Sequence, residues 1–279
     1  MFLTLSVGAV AAVAAAVLYG PVVAGLVRQW YADPVSSHGV LLVAAAAFVT
    51  WQRRARLAAA EVRPRNWGFG LLALALAGYL AGSLAGDIFA QRVSLPLAVA
   101  GTVVALAGTV HARVLLPSMA LLLLAVPLPS SVVTALTLPL QLVASQVAAV
   151  LLGAASIDVV RQGNLLILRD ITLEVADACS GLRSLVSLIS VAAMVGALLS
   201  LGIQRTAFLM VAAAPIAVIG NGVRVAATGF LTTWIGEAAV RGVLHDVTGY
   251  VAFAGMCAAI VLLQRATRWR SRTPIAQVA

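Results

Sequence analysis

The sequence predicts an all-α polytopic membrane protein of about eight transmembrane helices, with a small extracytoplasmic helix plus β-hairpin insert. Three observations predict it. Hydrophobic residues make up 62% of the 279 and charged residues only 10%, at a mean hydropathy of +1.07, which is too apolar for a water-facing coat. The apolar residues come in runs close to the roughly 20 that a helix needs to cross a bilayer. The net charge of +9 comes from 18 arginines and no lysine, gathered between apolar runs, where such charges set the orientation of the spans. No basic patch interleaved with aromatic residues points to nucleic acid. Membrane lipids are the expected surroundings.

Residues 3–27 form the first apolar run, and without a basic leader or cleavage site they read as a retained anchor. Arg28 to Gly39 then reads as a polar loop whose Trp30 and Tyr31 suit a membrane interface. A short second span at about 38–52 ends in a linker holding Arg53, Arg54, Arg56, Arg63 and Arg65 against Glu61, which the positive-inside rule puts in the cytoplasm. Spans at about 67–85, 93–110 and 113–128 follow. After Pro127-Leu128-Pro129, residues 130–153 read as an amphipathic or partly embedded helix with Gln141, Ser145 and Gln146 on its polar side. Ile157 to Val175 alternates as strands do, with turns at Gly163-Asn164 and Arg169-Asp170.

Spans at about 182–202, 206–233 and 246–264 close the count at eight. The chain therefore reads as a single integral-membrane domain over 1–279, with an extracytoplasmic insert at about 129–178 and a basic cytoplasmic tail at about 265–279. Eleven arginines then fall inside and seven outside. The bias agrees with the orientation.

Chemistry concentrates where the insert meets the sixth span, at Ala178-Cys179-Ser180-Gly181-Leu182-Arg183-Ser184. A thiol in the first turn of a helix, beside Arg183, feels a positive helix end and a cation, and both favour thiolate. A small residue filling a tight helix start would look the same from this position alone. The other cysteine, Cys257, lies in an apolar helix as a packing residue. Arg224 lies 18 residues along the seventh span, about 27 Å from its inner end, and an arginine inside a span normally faces a partner or a wet cavity. Asn221 shares its helix face, three residues away. His245 begins the eighth span on the outer side. These groups meet at one membrane depth, and thiolate, imidazole and guanidinium together suit acyl transfer: nucleophile, acid and base, and oxyanion partner. One Cys and one His are too few for a zinc site, so neither metal nor cofactor is expected.

The segment Ala178 to Ser184, then Asn221-Gly222-Val223-Arg224, then His245 with Gly249 after it, resembles the three-part signature of the exosortase/archaeosortase family of membrane-embedded cysteine transpeptidases. The likeness extends to Ser37-His38-Gly39, Pro127-Leu128-Pro129 and Gly163 to Val175, covering about residues 30–260. The resemblance implies cleavage of a C-terminal sorting signal on exported proteins, meaning a short motif such as Pro-Glu-Pro followed by a transmembrane helix and a basic tail. The cleaved protein then passes to a surface acceptor whose identity stays open. It implies a multi-pass protein of the inner (cytoplasmic) membrane with its active site on the extracytoplasmic side. It implies Cys179 as nucleophile, Arg224 as oxyanion or substrate-positioning cation and His245 as acid and base, with Asn221, Ser180, Arg183 and His38 in supporting positions. The reading from another class is a transporter or channel in which Arg224 and His245 line a permeation route. The almost wholly apolar inner halves of the last three spans oppose it. A non-catalytic scaffold is a third.

Overall fold

The computed structural model describes residues 2–168, 171–175, 181–236 and 243–270, with the backbone alone for 2–12, 243–245 and 268–270. Ten helices and three short strands make up the described residues. Six of the helices are long and apolar enough to cross a membrane, and three further apolar helices are shorter. The polytopic all-α expectation holds. The chain divides into two compact units, Met1–Pro129 and Ser130–Ala279.

The first unit holds α1 (Phe2–Ala32), α2 (Gly39–Gln52), α3 (Arg54–Ala59), α4 (Trp67–Ala85), α5 (Ile88–Leu106) and α6 (Thr109–Leu124). Its tightest pairing is α4 with α5, and small residues make it possible. Gly68, Ala75 and Gly82 recur every seven residues on the buried face of α4. A methyl group on Gly101 of α5 would lie 2.9 Å from the Leu72 backbone nitrogen. In lipid, where apolar side chains gain little by leaving the solvent, such close backbone approach is what holds helices together. The hairpin turns on Gly86, at a left-handed φ of 70°, and on Asp87, whose carboxylate accepts from the Phe89 and Ala90 nitrogens and caps α5.

Arg28 to Ala32, read from the sequence as loop, is the last turn of α1. Val22, Leu26 and Trp30, four residues apart, form its buried stripe. Trp30 is 9% exposed and its indole N–H donates to the Ala125 carbonyl at 2.9 Å, while Tyr31 is 79% exposed. Only the tyrosine faces outward as expected. On α2, Thr50 donates to Ser118 Oγ at 2.9 Å if its hydroxyl hydrogen turns that way, and Arg53 donates to the Val114 carbonyl at 2.8 Å. Both bonds fasten α2 to α6.

The second unit holds α7 (Ser130–Ala154), β1 (Val159–Gln162), β2 (Leu165–Leu168), β3 (Ile171–Glu174), α8 (Leu182–Leu198), α9 (Ile203–Ile235) and α10 (Val243–Arg270). The strand expectation extends by one strand: the hairpin is an antiparallel meander in the order β1-β2-β3. Gln162 pairs with Leu165 across Gly163-Asn164, and Leu168 pairs with Ile171. Residues 169 and 170 themselves lie outside the described residues.

The polar side of α7 divides, with Gln146 exposed as expected and the other two residues turned inward. Gln141 and Ser145 are buried, whereas Leu138, Val143 and Val150 are exposed. Its 25 residues are also long and apolar enough to cross a membrane, which agrees with the partly embedded form of that reading. Ser145 Oγ reaches the Gly163 carbonyl at 2.9 Å, and Arg161 donates to that same carbonyl at 2.9 Å. Periodicity locates a polar stripe; in an apolar medium the stripe turns toward partners.

One core cluster joins Leu166, Leu168, Leu173 and Val175 of the strand region to Ala144, Ala148 and Leu152 of α7 and to Val225 and Ala226 of α9. A second joins Leu188 and Ala192 of α8, Leu209, Ala213 and Ala217 of α9, and Met256 and Ile260 of α10. Helix α9 belongs to both. Helices α7, α8 and α10 all pack against it.

Candidate functional site

Among the polar residues of α9, Asn221, Arg224, Thr228 and Thr232 are spaced three, four and four apart, which draws one stripe along a helix face. Asn221 is 1% exposed, and Thr228 and Thr232 are buried. The threonines satisfy themselves locally: Thr228 donates to the Arg224 carbonyl at 3.1 Å and Thr232 to the Gly229 carbonyl at 2.6 Å. The amide and the guanidinium are left to meet other elements.

Asn221 meets the start of α8. Gly181 caps that helix at a φ of 81°, and a methyl group on it would lie 2.9 Å from Asn221 Nδ2. Only glycine combines that left-handed backbone with so close a neighbour. Arg224 meets α10. A methyl group on Gly249 would lie 3.2 Å from Nη2, 3.3 Å from Cζ and 3.4 Å from Nε, so the guanidinium rests against bare backbone. Gly249 stands four residues beyond His245 within α10, one helical turn along the same face. From one face of α9, then, two neighbouring side chains touch α8 at the residue two places after Cys179 and α10 one turn beyond His245.

Helix α8 starts at Leu182. Cys179 and Ser180, and with them the expectation of a thiol in the first helical turn, lie outside the described residues. Arg183 is in the first turn, exposed. His245 is described by its backbone alone, at the start of α10. His38 belongs to the first unit, as the residue ahead of α2. Burial lowers its pKa, opposed by the backbone of Val35 and Leu124 and by the charge of Asp33. Among the described residues no three His, Cys, Asp or Glu side chains gather as a metal would require.

Two features escape a sequence reading. The bracing of Gly163 by Ser145 and Arg161 holds the first turn of the sheet, and nothing in the sequence aims that serine inward. The contact of Asn221 with Gly181 carries more signal, since a glycine between a polar run and an apolar helix is a cap in waiting.

The family model for transmembrane exosortases matches residues 30–262. That range includes His38, Cys179, Asn221, Arg224 and His245. No curated protein and no solved structure matches the chain.

Proposed function

The chain belongs to the transmembrane exosortase family, and from that premise we propose that it is a cysteine transpeptidase that processes exported proteins carrying a C-terminal sorting signal. The signal is a short motif, an apolar transmembrane helix and a basic tail. The whole chain serves as one integral-membrane domain of the cytoplasmic membrane, with the site on its extracytoplasmic side. The substrate helix docks in the bilayer and presents the bond just outside its apolar segment.

The Cys179 thiolate attacks the carbonyl carbon of that bond. The oxyanion so formed is met by the Arg224 guanidinium. His245 gives a proton to the departing amine, the C–N bond breaks, and a thioester joins substrate to Cys179. An acceptor nucleophile then attacks the thioester, His245 takes its proton, and the thiolate is restored. Asn221 holds the Gly181 turn beside Cys179, with Ser180 and Arg183 on either side of that turn. His38 supports the first unit.

The observation that carries this reading is the double contact of α9, Asn221 with Gly181 and Arg224 with Gly249, which ties together the segments bearing Cys179 and His245. The test is to trap the acyl-enzyme. A reporter ending in Pro-Glu-Pro, an apolar helix and an arginine tail forms a hydroxylamine-sensitive adduct with the wild type and none with Cys179→Ala. A Cys179→Ala variant that still processes the reporter ends the thiol mechanism.

A further inference from the structure

Strand β3 is an outer strand of its sheet, and the hydrogen-bond pattern says which of its groups face out. The Val175 nitrogen donates to the Asn164 carbonyl at 3.0 Å, so that pair is hydrogen-bonded. Hydrogen-bonded pairs alternate along an antiparallel ladder, and with Leu166 opposite Leu173 and Ile167 opposite Thr172 the N–H and C=O groups of Thr172 and Glu174 point away from β2. Both residues are exposed. Among the described residues no hydrogen bond leaves the sheet from that edge. Such a row of donors and acceptors is a template for an added strand.

The direction of β3 fixes what the template is aimed at. Ile171 lines a cavity of about 400 Å³ with Thr232 of α9. Leu173 Cδ1 would lie 3.4 Å from a methyl group on Gly229, and Val175 shares a core cluster with Val225 and Ala226. With Ile171 beside Thr232 and Leu173 beside Gly229, the strand descends α9 antiparallel to it, toward the end that carries Arg224. Ile171 to Val175 covers about 13 Å at strand rise, and Arg224 to Thr232 about 12 Å at helix rise. The two lengths match.

We propose that the outer edge of β3 binds the extended peptide immediately ahead of the cleaved bond, as a strand parallel to β3 and paired with Thr172 and Glu174. This rests on the transpeptidase reading. A substrate that enters the bilayer as a helix at its C-terminal end runs toward the membrane in the same sense as β3 runs toward Arg224. Its upstream residues lie near the cavity beside Ile171, and its scissile bond comes off the end of the strand at the level of the guanidinium. Recognition through main-chain groups fixes the register while leaving most side chains free to vary.

The test removes one outward N–H. Thr172→Pro deletes it without touching a bond to β2, since proline is tolerated on outer strands. In the full-length protein in detergent, Thr172→Pro lowers processing of the Pro-Glu-Pro reporter about tenfold or more, chiefly through KM, while a small maleimide labels Cys179 at the wild-type rate. The control Val159→Pro, on the opposite edge of the sheet, keeps wild-type processing. Wild-type processing by Thr172→Pro, or an equal loss in Val159→Pro, overturns the proposal. Should Thr172→Pro lose maleimide labelling, Thr172→Cys in a Cys179→Ala background replaces it. Disulfide cross-linking to single cysteines in the reporter then recurs at every second position before the cleaved bond, and no cross-link at any position overturns the proposal. A reporter processed by Cys179→Ala would instead remove the thiol mechanism, a separate failure.

Discussion

Arg92 and Arg224 each stand inside an apolar helix, one in each unit, and their surroundings differ in kind. Arg92, five residues into α5, donates to Gln29 Oε1 on α1, and its Nη2 would lie 3.8 Å from a methyl group on Gly25. It has a neutral amide to hold and helix backbone at ordinary distance. Arg224 rests on the bare backbone of Gly249, beside an asparagine that rests on Gly181, and its helix touches two segments that carry a thiol and an imidazole in the sequence. An intramembrane guanidinium is a functional signal by default, yet the default does not separate these two. What separates them is whether the contact closes a pair or gathers other elements.

The comparison breaks most sharply by substitution. Arg224→Ala lowers reporter turnover on the order of 10²-fold or more, the size expected of an oxyanion partner, and His245→Ala does the same as an acid and base. Arg92→Gln leaves turnover within about threefold and lowers the melting temperature, because a charge-assisted hydrogen bond is worth about 1.5–3 kcal/mol. Equal turnover losses at Arg92 and Arg224 would erase the distinction. A gel-based cleavage assay beside thermal melts in detergent reads both.

Next in size are the glycines that the Asn221 and Arg224 side chains rest on. Gly181→Ala forces a side chain into a left-handed backbone, at a cost of about 1–2 kcal/mol, and pushes the Asn221 amide; turnover falls about tenfold and the second unit melts earlier. Gly249→Ala displaces only the end of a flexible side chain, so turnover falls a few-fold with stability unchanged. Gly255, on the same helix as Gly249, has nothing within 4 Å of the added methyl group. Gly255→Ala therefore leaves turnover alone and adds up to about 1 kcal/mol of helix propensity. If Gly249→Ala and Gly255→Ala behave alike, the contact with Arg224 carries no function.

The smallest effect belongs to the first unit. The pKa of His38 is held below its ordinary 6.5 by burial, so the unfolded chain takes up this proton first as pH falls. Stability is then full above about pH 6.5 and declines below it. His38→Gln flattens that decline, which melts at pH 7.5 and 5.5 detect, with no change in the acylation of Cys179.

Much of this was legible in the residues themselves. Hydropathy runs give the long helices because length and apolarity are what a bilayer demands, and the alternation from Ile157 to Val175 gives strands because one face of the sheet is buried. The three motif blocks name the proposed site. Hydropathy cannot tell lipid from protein interior, however, since both are apolar. Trp30 was therefore expected at an interface and is found donating to Ala125, and Gln141 and Ser145 face inward. The start of α8 at Leu182 agrees with the apolar run read from about 182, but that Gly181 caps it at a φ of 81° could not be read, since a left-handed φ leaves no mark on composition. The approach of Asn221 to Gly181 is a long-range packing event that no local pattern encodes.

The 33 residues of α9 span about 50 Å, against hydrocarbon about 30 Å thick. A rod that outruns its slab must lean or protrude, and this one bears the sheet on the portion past Arg224. Lipid tails of different length would raise or lower sheet and guanidinium as one piece relative to the water boundary. The relation between the β3 edge and Arg224 would survive that movement intact. The chain carries its own ruler, graduated along α9, and the membrane supplies only the zero mark.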